Sequence, residues 1–404
     1  MPNSKPNNKK KKWMKFRHRV VRNLAWCVIY PYSRIRYGIH IQKFKEQRDR
    51  PYLILFNHQT AFDQFFAGMA FRGPVYYVAS EDLFSKGFLS SLIRYLVAPI
   101  PIKKQTTDVS AVMTCLRVAR EGGTIAMAPE GNRTYSGKNV FINPAIAPLA
   151  RKLGLPIVLY HIEGGYGVHP RWSDVVRRGR MDCYVHRVIE PEEYRTMSDD
   201  ELYRQICDGL TVNEARADAT YYHKRSAEYL ERALYTCPFC GLTTLHSHKD
   251  TITCHTCGRA VRYLPTTELQ GIGFDFPFRF VAEWYEHQCA LINWLDPSAH
   301  TVEPLYEDMA SFSEVIVYKN KKRLKKQARI ALYGDRMTID DQVFSFAEIT
   351  AAAVLGKNKL NIYHDKQIYQ LKGDKRFNAL KYVNLYYRYR NTIKEDGHDE
   401  FLGL

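Results

Sequence analysis

The sequence predicts an α/β domain with a largely parallel sheet flanked by helices. A small cysteine module and a C-terminal β-barrel-like module capped by a helix follow it. Three observations predict this. Up to about residue 215, short apolar runs alternate with helical stretches, as in strands joined by helical crossovers. Two C-x-x-C-G pairs then stand between Cys237 and Gly258. Beyond Ser313, short strands separated by turn residues lead to one last helical stretch.

At 404 residues the chain is long for one ordinary domain, and an apolar fraction of 45% is enough to fill more than one core. The net charge is +17 and unevenly placed, with no Asp or Glu before Glu46 and a basic run from Lys5 through Lys9, Lys10, Lys11, Lys12, Lys15, Arg17, Arg19 and Arg22. Such a block wants an acidic partner, and both nucleic acid and anionic lipid qualify. Of nine cysteines, Cys27, Cys115, Cys183, Cys207 and Cys289 are scattered. That is no secreted disulfide framework, and a reducing cytoplasm is expected. No secretory signal peptide is expected. The apolar run Leu24–Tyr30 is broken by Pro31 and Arg34. It falls well short of the roughly 20 residues a spanning helix needs. The chain is therefore expected on the cytoplasmic face of a membrane, peripheral or monotopic, rather than across it.

Taken in order, residues 1–45 read as a basic amphipathic membrane-surface segment. Trp13, Phe16, Val20, Val21, Leu24, Val28 and Ile29 recur at helical spacing between basic residues. A helix packed on the next domain is the alternative. Residues 46–215 form the α/β domain, with strands expected at 52–56, 75–79, 124–128 and 156–160. Residues 216–236 read as a helical linker, part of a charged helical stretch from Ser198 to Leu234. The cysteine module occupies 237–262 and a further linker region 263–312. The last module occupies 313–393, with turns at Tyr333-Gly334-Asp335, Asp340-Asp341, Gly356-Lys357-Asn358 and His364-Asp365-Lys366. Its closing helix is expected over about 375–389, in keeping with strands packed under one helix.

Two motifs carry chemistry. Asn57-His58-Gln59-Thr60-Ala61-Phe62-Asp63 follows the first strand, where α/β folds bind ligands. His58 and Asp63 lie about 140° apart on an ideal helix, so they meet only if His58 sits on the turn before it. A carboxylate there fixes the imidazole tautomer and leaves one nitrogen to take a proton. The second motif, Ala128-Pro129-Glu130-Gly131-Asn132-Arg133-Thr134, follows another strand. Gly131 permits an unusual backbone angle, Arg133 offers a planar fork for phosphate, and Glu130 can hold that fork or a substrate hydroxyl. Alone, each motif also fits a chance pair or a surface turn.

Together, His-x4-Asp after a strand and Pro-Glu-Gly-x-Arg after a later one resemble the glycerolipid acyltransferase family, best known through 1-acylglycerol-3-phosphate acyltransferases. The resemblance covers residues 45–215 and makes 46–215 an acyltransferase domain. It implies that His58 and Asp63 are catalytic, and that Glu130, Gly131 and Arg133 bind the acceptor. Two further motifs are altered: Lys104 stands where the family has arginine, and is expected to join Arg133 in binding the acceptor phosphate, and Tyr160 stands where it has proline. The implied reaction transfers a fatty acyl group from an acyl thioester, on coenzyme A or acyl carrier protein, to 1-acyl-sn-glycerol 3-phosphate, giving phosphatidate. Glycerol 3-phosphate or another lysolipid as acceptor stays open. So does a non-catalytic membrane or nucleic-acid adaptor.

Cys237, Cys240, Cys254 and Cys257 form two C-x-x-C-G knuckles, a zinc-ribbon pattern whose four thiolates imply a structural zinc. A ribbon suits nucleic acid, but only Lys249, Arg259 and Arg262 are basic within or beside it, so the anionic membrane is the favoured partner. The last module loosely resembles pleckstrin-homology-like folds, with the basic run Lys319–Lys326 on its first hairpin. That run is equally read as a solvated face.

Overall fold

The computed structural model describes residues 12–45, 50–84, 87–102, 108–316 and 321–394. Lys104, the tail through Lys11, and Lys319 lie outside the described residues.

The first half begins with α1 (Phe16–Tyr37), β1 (Ile39–Ile41), β2 (Leu53–Phe56) and α2 (Asp63–Ala70). Next come β3 (Val75–Ser80), α3 (Phe88–Val97), β4 (Ile100–Ile102), α4 (Val109–Arg120) and β5 (Thr124–Met127). It closes with α5 (Ile146–Leu153), β6 (Ile157–Glu163), α6 (Gly165–Val168), β7 (Met181–Ile189), α7 (Pro191–Tyr194) and α8 (Asp199–Leu210). The sheet runs β1-β7-β6-β2-β5-β3-β4, and every pairing is parallel except β6–β7.

Strand β2 is apolar throughout because it is covered on both faces. Leu53 and Leu55 enter one core layer with Leu116, Ile146 and Ile206 of the helices there. Ile54 and Phe56 enter the other, with Phe66 and Ala67 of α2. Alternation by residue feeds two layers, as in doubly covered parallel sheets. Each such side chain contributes about 1.5–3 kcal/mol by leaving water. The flanking β7 reads Met-Asp-Cys-Tyr-Val-His-Arg-Val-Ile, an alternating pattern without an apolar run, which is why it escaped the strand count.

Helix α1 lies against this domain by its polar groups. Both carboxylate oxygens of Glu121 accept from the main-chain N–H groups of Trp13 and Met14, at 3.0 and 2.9 Å. Arg17 Nε donates to Tyr95 O of α3 at 2.8 Å, and His18 Nδ1 lies 3.1 Å from the Tyr76 hydroxyl. Phe16, Leu24, Val28 and Ile35 face outward instead.

The second half opens with β8 (Thr236–Cys237), β9 (Gly241–Leu242), β10 (Leu245–His248), β11 (Thr251–Cys254), β12 (Ala260–Tyr263), β13 (Leu269–Gly271) and α9 (Val281–Trp294). It continues with β14 (Tyr306–Glu314), β15 (Lys322–Leu332), β16 (Arg336–Ile339) and β17 (Gln342–Ser345). The end of the chain supplies β18 (Ala351–Leu355), β19 (Lys359–His364), β20 (Gln367–Gly373) and α10 (Leu380–Lys394). Strands β14–β20 form one antiparallel sheet ordered β17-β16-β15-β14-β20-β19-β18, with α10 packed on it. Register shifts between β14 and β15 help it curl. Asp340 at φ 49° and Gly356 at φ 62° take left-handed backbone at two of the anticipated turns.

Three sequence readings need correction. The helical linker over 216–236 is not a helix: after α8 the chain runs irregularly, Tyr229 takes φ 74°, and one 3-10 turn spans Leu230–Arg232. The cause is burial on every side. Ala227, Leu230, Ala233 and Leu234 join one core with the cysteine module and the β14–β20 sheet, while Arg232 donates to Trp172 O and Asp174 of the first half. The linker region over 263–312 likewise contains β13, α9 and the start of β14, with Trp284 and Ile292 in that same core. The closing helix starts at Leu380 rather than near 375, because Asn378 Oδ1 accepts from the amides of Leu380 and Lys381 at 2.8 and 3.1 Å and sets its N-terminus.

Candidate active site

Strand β2 lies between β5 and β6, and both chemical motifs start where β2 and β5 end. Asn57 continues the pairing with its side chain: Nδ2 donates to Ile162 O at 2.9 Å and Oδ1 accepts from Ile162 N at 2.8 Å. The chain then turns through His58 and enters α2 at Asp63.

Asp63 is fully buried at the N-terminus of α2, where a negative charge is favoured. Its carboxylate lies 2.8 Å from His58 Nδ1 and accepts from Gln59 N at 2.6 Å. It also accepts from Thr60 N at 2.8 Å and the Thr60 hydroxyl at 2.6 Å. A carboxylate only accepts, so Nδ1 carries the proton and Nε2 holds the lone pair. The His58 side chain keeps 22% of its surface exposed, enough for a substrate to reach.

The second motif grips the main chain of the first. Thr134 N donates to His58 O at 3.1 Å, and the Glu130 carboxyl accepts from the main-chain N–H of His58. Glu130 also accepts from Asn139 Nδ2 at 3.0 Å and Val140 N at 3.4 Å. Burial pushes its carboxyl up to about 8. Glu130 therefore braces the main chain around His58, and among the described residues no pairing with the Arg133 fork is found. Gly131 takes φ 67°, a left-handed angle that side chains rarely adopt.

Arg133 is 9% exposed, and among the described residues its NH1 atom has no hydrogen-bond partner. Burial, with Arg171 beside it, lowers its guanidinium to about 10, so it remains a cation at neutral pH. An unpaired buried cation is costly unless an anion meets it. His169, also buried and tilted against the Tyr37 ring, is pushed down to about 3 by burial and by Lys357 and Arg133, so it stays neutral. The structure thus joins His58, Asp63, Glu130, Gly131 and Arg133 in one place. In the sequence nothing marks His169 or Arg171 by its spacing, and Lys357 reads only as part of a turn.

A family model described as acyltransferase matches residues 38–162. That stretch carries both the His58–Asp63 turn and the Glu130–Arg133 loop, and it is what makes the chain similar to acyltransferases. A chloroplastic 1-acyl-sn-glycerol-3-phosphate acyltransferase of Brassica napus is 21% identical over 206 residues, covering 49% of this chain and 57% of the relative. A chloroplastic 1-acyl-sn-glycerol-3-phosphate acyltransferase of Arabidopsis thaliana is 21% identical over 183 residues, covering 43% and 49%. The chain therefore spans about half the length of those curated relatives. The crystal structure of the 1-acyl-sn-glycerophosphate acyltransferase from Thermotoga maritima superposes with a TM-score of 0.40 at 20% identity, covering 49% of this chain and 80% of that one.

Beyond the acyltransferase domain, the sulfur atoms of Cys237, Cys240, Cys254 and Cys257 lie within 4.8 Å of one another. Ligands about 2.3 Å from a tetrahedral zinc stand roughly 3.8 Å apart, so this all-thiol set fits that ion. Cys237 and Cys254 are buried, and both belong to the core of the second half.

Proposed function

We propose that this chain is an enzyme that transfers a fatty acyl group from an acyl thioester to the free hydroxyl of a lysophospholipid, with 1-acyl-sn-glycerol 3-phosphate as acceptor and phosphatidate as product. The observation that carries the reading is the pairing of the His58–Asp63 dyad with the buried, unsatisfied Arg133 on a loop bonded to His58. One supplies a base for a hydroxyl, the other a cation for a phosphate.

In the reaction, His58 Nε2 takes the proton from the acceptor hydroxyl as its oxygen attacks the thioester carbonyl. Asp63 stabilises the imidazolium. The tetrahedral intermediate collapses, the carbon–sulfur bond breaks, and the imidazolium returns its proton to the leaving thiolate. Base catalysis of this kind contributes about 10²–10⁴-fold. Arg133 holds the acceptor phosphate.

The reading also gives the second half a structural zinc on its four cysteines and places the enzyme on an anionic membrane surface. Among the described residues, no helix is long and apolar enough to cross a membrane. The exposed apolar side chains of α1 and α3 support a docked arrangement instead.

The test is release of free thiol from an acyl thioester against a panel of acceptors: 1-acylglycerol 3-phosphate, glycerol 3-phosphate and lysolipids with other headgroups. The expected result is turnover with the first that His58→Ala abolishes while the fold is retained. Turnover undiminished in His58→Ala overturns the mechanism. Silence toward every acceptor, with salt-sensitive nucleic-acid binding, favours an adaptor.

A further inference from the structure

The β14–β20 module is more than a neighbour of the acyltransferase domain, because it reaches the loop that carries Arg133. The link is Arg171, which is 3% exposed and spends each nitrogen of its guanidinium on a main-chain carbonyl. NH1 donates to Arg133 O at 3.1 Å, NH2 to Val354 O of β18 at 3.0 Å, and Nε to Gly356 O in the following turn at 3.4 Å. Its plane lies over the Tyr135 ring, 4.3 Å from the centroid. The Tyr135 ring in turn stacks with Tyr285 of α9 at 6.5 Å.

A second contact closes the same seam. Lys357, in the turn after β18, donates to Ser173 O at 2.5 Å and to Asp174 at 3.0 Å. Residues 171–174 of the acyltransferase domain are thus held against the β18–β19 turn from both sides. A structural arginine that only glued two bodies together would have no need to bond the carbonyl of Arg133 itself. Here the guanidinium with the unpartnered nitrogen hangs from the peptide that Arg171 fixes.

We infer that the C-terminal β-module is a fixed wall of the acceptor site, and that Arg171 is the positioning residue through which it sets the Arg133 guanidinium. This rests on the acyltransferase reading above for the identity of the acceptor. The module's own backbone supplies two of the three carbonyls that hold Arg171 in place. Arg171 acts through Arg133 and touches no substrate.

The position of a phosphate-binding cation governs acceptor binding more than the chemical step at His58. Loss of a hydrogen bond from a charged group costs enough to lower affinity about tenfold or more. In the full chain, Arg171→Ala is therefore expected to raise the KM for 1-acylglycerol 3-phosphate about tenfold. Its kcat and its KM for the acyl thioester should stay within about twofold of the parent. Arg171→Lys, which cannot span three carbonyls, should give the same split less strongly. Lys357→Met, which loosens the seam without touching Arg171, should raise the acceptor KM in the same direction.

Hydrogen exchange gives the readout that needs no turnover. Amides of residues 131–137 should lose protection in Arg171→Ala, while those of β2 and β6 keep it. Parental exchange at 131–137 overturns the proposal. So does a parental acceptor KM, or an acceleration spread evenly over the whole domain, which would mark Arg171 as merely structural. If the parent itself turns over no acceptor, the functional reading falls, and exchange still decides whether Arg171 sets the Arg133 loop.

Discussion

The amide of Thr134 donates to the carbonyl of His58 at 3.1 Å, so the loop that carries Arg133 also fixes the peptide that carries His58. Asp63 Oδ2, 2.8 Å from Nδ1, orients the imidazole. Asp63→Asn keeps the size but replaces an acceptor oxygen with a donor facing Gln59 N, Thr60 N or the imidazole. We expect kcat to fall at least about 10²-fold, through loss of the correct tautomer and of imidazolium stabilisation. The variant should also lose about 1–3 kcal/mol of stability from the donors left unsatisfied. Steady-state kinetics with a parallel thermal melt checks both, and a kcat close to that of the parent would remove Asp63 from the mechanism.

Glu130 makes a pH prediction. Burial raises its carboxyl from an ordinary carboxylate value to about 8. A group whose folded pKa is raised gives its full stability below the unfolded value and loses it as pH rises through the folded one. The contribution is therefore complete near pH 4 and declines up to about pH 8, with a slope of at most about 1.4 kcal/mol per pH unit. Glu130→Gln cannot ionise, so its melting temperature should be flatter than the parent's between pH 5 and 8, and the gap between the two should shift in its favour toward pH 8. Parallel curves for the two proteins across that window would contradict a buried, protonated Glu130.

What the sequence made legible, and what it did not, follows from which interactions are local. Strand β2 was readable because its four residues are all buried, and His58 and Asp63 because five residues suffice to close their contact around one turn. The inward role of Glu130 was not readable, since Asn139 and Val140 lie on a loop that folds back. Arg171 was invisible for a stronger reason: two of its three acceptors, Val354 O and Gly356 O, lie more than 180 residues away and are main-chain atoms that leave no mark on side-chain identity. The helical reading of 216–236 failed because local propensity was overruled by packing between two bodies, with Arg232 buried at 2% where a surface helix would expose it.

Zinc removal should unfold more than the cysteine module. Cys237 and Cys254 share one core with Trp284, Leu332 and Leu385, so loosening the knuckles opens that core to water. Metal analysis should find one zinc per chain. Chelation, or Cys254→Ser, should lower the melting temperature of the second half and release thiols to a colorimetric reagent, as expected where metal binding is folding free energy. A chain that holds well under one zinc and melts identically with and without chelator would exclude a structural ion here.

The last prediction concerns the outer face of α1. Phe16, Leu24, Val28 and Ile35 are 80%, 66%, 71% and 87% exposed, and their steps of eight, four and seven residues put them on one side of the helix. Phe88 and Leu92 are exposed on α3, which packs beside α1. Apolar side chains so placed gain nothing from the fold. Their burial in a bilayer interface contributes roughly 1 kcal/mol or more each, and neighbouring lysines and arginines add a salt-sensitive attraction to anionic lipid. The double variant Leu24→Asp with Val28→Asp should therefore bind anionic vesicles at least about tenfold more weakly. Its melting temperature should be unchanged, because the two side chains are mostly exposed and belong to neither core layer of the domain. Added salt should weaken the parent's binding without abolishing it, since only the basic part of the contact is screened. Vesicle sedimentation with and without anionic lipid measures all three, and binding that ignores both the double variant and the lipid charge would place the membrane contact elsewhere on the molecule.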